Sequence, residues 1–212
     1  MQARRPPRDS PAARRARHAD ITDVAAVVDA GARFLQARPR SAAEVRRRLT
    51  VGGYRPELVE AAVERLTELR YLDDEAFARA WVGSRDRARP RGERALRAEL
   101  IEKGIARDVI DAVLAERAVG GSGAMGGSGA PGQPDDRAAW DPDEGTAGDA
   151  EARAPGGPEE RAARALLDRR RPALARISDR RVRRQRAYAL LARHGFDPEL
   201  AGRLASELSL EP

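Results

Sequence analysis

Three stretches of the chain share one local pattern, and that pattern limits the fold more than any other feature. They are "LTVGGYRPELVEAAV" from Leu49, "LIEKGIARDVIDAVL" from Leu100 and "LARHGFDPELAGRLA" from Leu191. In each, a Leu sits four residues before a Gly (Gly53, Gly104, Gly195). An apolar residue follows the Gly at once (Tyr54, Ile105, Phe196), and another comes five positions after it (Leu58, Val109, Leu200). Glycine suits the left-handed position just past the end of a helix, and the apolar residue after it can fold back on the last turn. Pro56 and Pro198 suit the first position of a following helix, and Asp197 can cap it. Each stretch therefore spells helix, glycine turn, helix.

The first two glycines are 51 residues apart and the last two 91. Removing an insertion of about 40 residues restores a near-equal period, the mark of a repeat array. Each unit also owns a preceding helix. "ARFLQARPRSAAEV" ends one helix near Arg38 and starts another at Ser41, where Ser41 and Glu44 form a capping box. "YLDDEAFARAWV" starts a helix at Asp73, with Asp74 and Glu75 in its first turn and Leu72 and Phe77 spaced as a hydrophobic staple. "EERAARALLDRR" supplies the first helix of the third unit. No alternating, strand-like run intervenes. The expected fold is all-α, with three tandem three-helix, helix-turn-helix-like repeats forming an elongated array.

The boundaries follow from composition. Residues 1–20 are rich in Arg, Pro and Ala without periodicity and are expected to be a disordered basic tail. Repeat 1 is expected over 21–71, repeat 2 over 72–118 and repeat 3 over 158–212. Residues 119–157 are rich in Gly, Ser, Pro and Asp and are expected to be a disordered linker. That linker sets two arginines against seven carboxylates, so the repeats are more basic than the net charge of +6 suggests. Trp140 within it has no assigned role.

The basic charge is nearly all arginine, since Lys103 is the only lysine. A pI near 10.7 points to an anionic partner. The arginines are not scattered. In the helix from residue 42, Val45 and Leu49 mark the buried side. At about 100° per residue Arg47 points away from them, flanked by Arg46 and Arg48. In the matching helix of repeat 2, Leu96 and Leu100 are inward, Arg94 points out and Arg97 lies on a flank. The loop before it adds Arg87, Arg89 and Arg91, and Lys103 closes the helix. Repeat 3 offers Arg180, Arg181, Arg183 and Arg184. Any single arginine is explained by a solvated helix face with pairs such as Glu93–Arg97. The recurrence at one part of each unit favours a binding surface for phosphate or carboxylate.

Other chemistries find no support. The chain has no cysteine, and its two histidines, His18 and His194, lie far apart. Asp73 and Asp74 are explained by helix capping. No phosphate loop, nucleophile elbow or paired catalytic carboxylates occur, so no enzyme activity, cofactor or metal is expected. Tyr54, Tyr71, Trp81 and Phe196 fall at apolar positions and are expected in the core. The longest apolar run near the N-terminus, "VAAVV" from Val24, is too short for a signal peptide or a membrane span, so a cytoplasmic protein without membrane contact is expected.

"RPRSAAEVRRRL", "YLDDEAFARAWVGSR", "GERALRAELIEKGI" and "RQRAYALLARHGF", in that order, resemble the RecX family of regulators of the RecA recombinase. The resemblance covers most of 31–118 and 158–208. It is most specific at Leu72-Asp73-Asp74, Phe77-Ala78, Gly92, Leu96, Glu99-Leu100 and Lys103-Gly104-Ile105. It implies three tandem three-helix repeats that bind in the groove of the RecA–DNA filament. It also implies restraint of the recombinase, ATPase and coprotease activities of RecA in recombination, repair and the SOS response. Family members also bind DNA. The expected partners are thus RecA and single- or double-stranded DNA without strong sequence preference, met by a monomer. The 119–157 insertion and the 1–20 tail depart from the family pattern. The alternative class is a helix-turn-helix transcription regulator, which would usually dimerise on a two-fold operator.

Overall fold

The structure is a computed structural model and describes residues 10–119 and 156–210. The expected linker lies almost wholly outside the described residues. Ten helices occur among them: α1 (Pro11–Ala19), α2 (Val24–Leu35), α3 (Ala42–Gly52), α4 (Pro56–Glu68), α5 (Asp74–Ala88), α6 (Glu93–Glu102), α7 (Arg107–Val119), α8 (Pro158–Ala175), α9 (Arg180–Arg193) and α10 (Pro198–Leu210). No strand occurs among the described residues, and the fold is all-helical. None of these helices is long and apolar enough to cross a membrane.

The helices after α1 fall into threes, and each three has its own core. Val27, Val45, Leu49, Val59, Ala62 and Leu66 bury together among α2, α3 and α4. Phe77, Val82, Leu96, Leu100, Ile110 and Leu114 do so among α5, α6 and α7. Leu166, Leu167, Leu191, Phe196, Ala201 and Leu204 do so among α8, α9 and α10. The chain divides into two compact units, the first ending at Asp74 and the second beginning at Glu75 with repeats 2 and 3 together. Leu72, expected to open repeat 2, is 2% exposed within the core of the first unit. Phe77, its expected staple partner, belongs to the core of repeat 2.

The start of α3 is satisfied twice over. Ser41 Oγ accepts from Glu44 N–H at 3.1 Å, and Glu44 Oε2 accepts from Ser41 N–H at 3.3 Å, the expected capping box. Asp74 then accepts from Ala42 N–H at 2.8 Å. Its carboxylate therefore caps α3, whereas sequence alone assigned it to the first turn of its own helix. Burial pushes the Asp74 carboxyl above its ordinary value, against the Ala42 N–H and Arg46.

The middle helix of every repeat ends at the expected glycine. Gly53, Gly104 and Gly195 have φ of 93°, 76° and 78°, the left-handed region. Tyr54, Ile105 and Phe196 each return an N–H to the carbonyl of Leu49, Leu100 and Leu191, at 3.3, 3.0 and 3.2 Å. The aromatic residues diverge from expectation. Phe196 is 2% exposed, but Tyr71 is 63% exposed. Tyr71 lies just after α4, beside Arg70, which takes a φ of 61°.

Residues 11–19, expected to belong to a disordered tail, form α1. Ser10 caps it by accepting from Ala13 N–H at 3.1 Å, and Pro11 occupies its first turn. Its docking uses no buried side chain. His18 Nδ1 donates to Gly52 O at 2.7 Å, and the imidazole stacks on Tyr54 at 4.3 Å between centroids. The Arg15 backbone comes so near Gly53 that a Cβ there would lie 2.8 Å from Arg15 O. Such a helix has no apolar stripe to betray it, because backbone and one ring hold it.

Within the second unit, repeats 2 and 3 meet backbone to backbone. Gly92 N–H donates to His194 O at 3.0 Å. Glu159 Oε1 accepts from Glu93 N–H at 3.1 Å and Asp197 N–H at 3.3 Å, so one carboxylate serves helix starts in both repeats. A Cβ on Gly92 would lie 2.3 Å from the carbonyl of Gly195. The φ of Gly92 is an ordinary −73°, so space alone demands glycine there. Gly92→Ala should therefore lower stability by about 1–3 kcal/mol through overpacking. Gly202→Ala, in α10 with nothing within 4 Å of the new methyl, should instead raise it by up to about 1 kcal/mol. Urea denaturation of the two variants checks both signs.

Candidate nucleic-acid and partner interface

The candidate basic residues of α3, α6 and α9 all lie on or beside the middle helix of a repeat. The fold makes that region basic in each repeat, because the opposite side carries the core leucines: Leu49 in α3, Leu96 and Leu100 in α6, Leu191 in α9. The side chains, however, are not equally free. Their partners divide them into two sets.

In repeat 1, Arg46 Nε donates to both oxygens of Glu60, at 2.7 and 3.0 Å. Arg47 and Arg48 are exposed and have no carboxylate partner among the described residues. Arg48 instead lies over the Phe34 ring, 5.6 Å from its centroid, and Arg40 lies over it at 4.5 Å.

In repeat 2, Arg97 is held by Glu93 at 3.1 Å and by Asp111. Arg91 lies 3.6 Å from Glu99. Glu99 is the hub of a cluster that sequence alone missed. It accepts from Trp81 Nε1 at 2.8 Å and from Arg85 Nε at 2.8 Å. Arg85 and Lys103 both lie over the Trp81 ring, at 4.4 and 4.9 Å. Trp81, expected in the core, is therefore half-buried at its edge with cations on its face. Arg87, Arg89 and Arg94 are exposed. The backbone of Arg87 is fixed from repeat 3, where Arg169 donates to the carbonyls of Ala88 at 2.6 Å and Arg87 at 3.1 Å.

In repeat 3, Arg180 Nε donates to Ser209 O at 2.9 Å and Arg183 Nε to Ile177 O at 3.1 Å, so both tie α9 to its surroundings. Arg181 and Arg184 are exposed and line an open cavity of about 440 Å³ with Gln185, Tyr188 and Ser206. Thus Arg46, Arg97, Arg180 and Arg183 carry internal hydrogen bonds, and Arg91 a longer ion contact with Glu99. Arg47, Arg48, Arg94, Arg181 and Arg184 present guanidinium groups outward with no carboxylate partner among the described residues. Exposed ion pairs contribute about 0–1 kcal/mol, so the first set is a modest structural expense to release. The second set needs no release at all.

His194, at the junction of repeats 2 and 3, is half-buried. Burial first, then Arg91, and further Arg193 and Arg170, hold its imidazole below its ordinary value. No group of three or more His, Asp or Glu side chains that could hold a metal ion occurs among the described residues.

Comparison with known proteins bears on the same region. Residues 29–66 match the first three-helix domain of RecX, and residues 73–114 match the second. Over 83 residues the chain is 45% identical to the regulatory protein RecX of Mycolicibacterium vanbaalenii, covering 39% of this chain and 45% of that one. Over 84 residues it is 39% identical to the regulatory protein RecX of Chlorobium limicola, covering 40% of this chain and 53% of that one. The matched segment thus spans about half the length of these curated relatives. The crystal structure of RecX from Lactobacillus salivarius superposes with a TM-score of 0.62 at 14% identity, over 89% of this chain and 97% of that one. At that identity the likeness concerns the fold.

The depressed imidazole yields a signed expectation. The folded chain takes up the His194 proton less readily than the unfolded chain. Its contribution to stability is complete above the unfolded value, about 6.5, and is eroded as pH falls through that value toward the folded one. Denaturation midpoints taken between about pH 8 and about pH 5 should therefore fall less for His194→Gln than for the parent chain. Parallel pH curves for the two proteins would show that His194 carries no such linkage.

Proposed function

We propose that this chain is a RecX-type regulator that acts on the RecA recombinase by binding the RecA–DNA filament, a reading supported by the match of residues 29–66 and 73–114 to the first and second three-helix domains of RecX. The observation that supports this most is the repetition of unpartnered arginines on the middle helices, in a chain whose domains follow the family order. In this reading Arg47, Arg48, Arg94, Arg181 and Arg184 meet DNA phosphates or acidic groups of the filament. Planar guanidinium forks suit both. In this reading the chain acts by occupancy, as a cytoplasmic monomer.

The linked repeats supply the mechanism. Each basic patch alone binds weakly. Once one repeat is bound, the next contact is intramolecular, so modest patches add to firm binding. Occupancy of the filament then restrains ATP hydrolysis, strand exchange and coprotease activity. The electrostatic share makes binding broadly sequence-independent on DNA alone and steeply salt-dependent through release of phosphate counterions.

Purified chain should suppress the DNA-dependent ATP hydrolysis of its cognate RecA at or below one chain per RecA. Charge reversal at Arg47, Arg94 and Arg184 together should weaken that suppression by about tenfold or more, given about 1.4 kcal/mol per decade. Coupled ATPase assays check both. Full hydrolysis in the presence of excess folded chain would defeat the assignment. Strict preference for one duplex sequence in a gel shift would point instead to a transcription regulator.

A further inference from the structure

Repeat 1 contains an open cavity of about 570 Å³, within the size range of sites that hold small ligands. It is walled by α1, the end of α2, the turn before α3, and α3 itself. Five arginines line it, and no Asp or Glu does; Arg15 Nε donates to Pro11 O at 3.4 Å, which leaves Arg14, Arg33, Arg40 and Arg48. None of the four has a carboxylate partner among the described residues. Four cations gathered without a counter-charge repel one another and disfavour the compact state. Elsewhere Arg46, Arg65, Arg97, Arg117 and Arg164 are each paired with a carboxylate.

The side chains are also oriented. Arg40 and Arg48 lie over the Phe34 ring. A guanidinium laid on a ring keeps its N–H edge available for an anion. Arg40 Nε is buried and unpartnered. The element that closes the cavity, α1, lies outside both matched domain segments. It buries no residue of its own and is held by His18 on Gly52 and Tyr54. Its position therefore adds little core, while it brings Arg14 to the other three arginines.

We propose that this cavity binds a nucleotide unit, with Arg14, Arg33, Arg40 and Arg48 on its phosphate and the Phe34 and Tyr54 wall beside its base. Phosphate oxygens accept paired guanidinium bonds. A base offers a flat face for aromatic and guanidinium stacking. An acidic peptide would use the charges alone, whereas a nucleotide also brings a flat base that can stack on a guanidinium already laid on Phe34. The nucleotide is either an internal unit of a single-stranded nucleic acid or a free one. In the first case the inference rests on the DNA contact proposed above and deepens it.

The test uses the full chain and Arg33→Glu/Arg48→Glu, both exposed positions. Arg107→Glu/Arg176→Glu, exposed positions outside the proposed binding set, serves as a control of equal charge change, and circular dichroism confirms helix content. Binding of a labelled oligothymidylate is followed by anisotropy across salt concentrations, and binding of ATP by calorimetry. The cavity variant should lose at least tenfold in affinity and about 2 in salt slope. The control should lose clearly less. Loss confined to the oligothymidylate identifies the chain phosphodiester as the source, and loss of ATP binding identifies a free nucleotide. His18→Ala, which frees α1, should weaken binding in the same direction. Equal losses in cavity variant and control would overturn the site in favour of diffuse electrostatics. Unchanged nucleotide binding with weakened RecA binding would overturn it in favour of an acidic protein surface. Inhibition of RecA ATPase, measured on the same proteins, separates failure of this site from failure of the regulatory reading.

Discussion

Each repeat depends on a middle helix that stops where a left-handed residue can turn the chain. At Gly53, Gly104 and Gly195 the backbone has φ of 93°, 76° and 78°, a region that a residue with a Cβ enters only at a cost. The turn sends the next apolar residue back over the helix it has just left and aims the third helix across the first two. Without it the leucine four residues earlier would have no lid. The same geometry exposes backbone, and the chain uses that exposure twice. Arg15 of α1 rests on Gly53, and Gly92 rests on the turn at Gly195. A turn required by local stereochemistry thus becomes a docking surface for another segment.

With few aromatics and many arginines, the repeats are held by small aliphatic cores and covered by charge. The carboxylates decide what that charge is for. Where a Glu or Asp stands across from an arginine, the pair closes a helix–helix contact, as Glu60 does for Arg46 and Asp86 does for Arg117. Where none stands across, the guanidinium faces outward or leans on a ring. The RecX-type reading needs this second population, and its recurrence on α3, α6 and α9 gives the regulatory proposal its physical content. Arg14, Arg33 and Arg40 extend the population beyond the middle helices of the repeats, to a cavity lined by five arginines and an aromatic wall.

Local features were legible in the sequence because their causes are local. The capping box of Ser41 and Glu44, the prolines at the starts of α4 and α10, and the three glycine turns all act over a few residues of chain. So did the all-helical class and the three-helix rhythm, since a 3.6-residue period and a repeat need only the order of residues. The inward leucines of α3, α6 and α9 and the outward course of Arg47 and Arg94 followed from the same period.

Only the tertiary structure decided which arginines are spent on the fold. Glu60 lies 14 positions from Arg46, Glu116 lies 37 from Arg79 and Asp86 lies 31 from Arg117. No periodicity links residues at such separations, because they meet only after the helices pack. The same holds for α1, whose order comes from a histidine reaching a carbonyl 34 positions away, and for Asp74, which caps a helix that begins 32 positions before it. It holds for Leu72, drawn into the core before it. Sequence determines what each helix is and where it ends; the packing of helices determines which charges find a partner and which remain to meet one outside the chain.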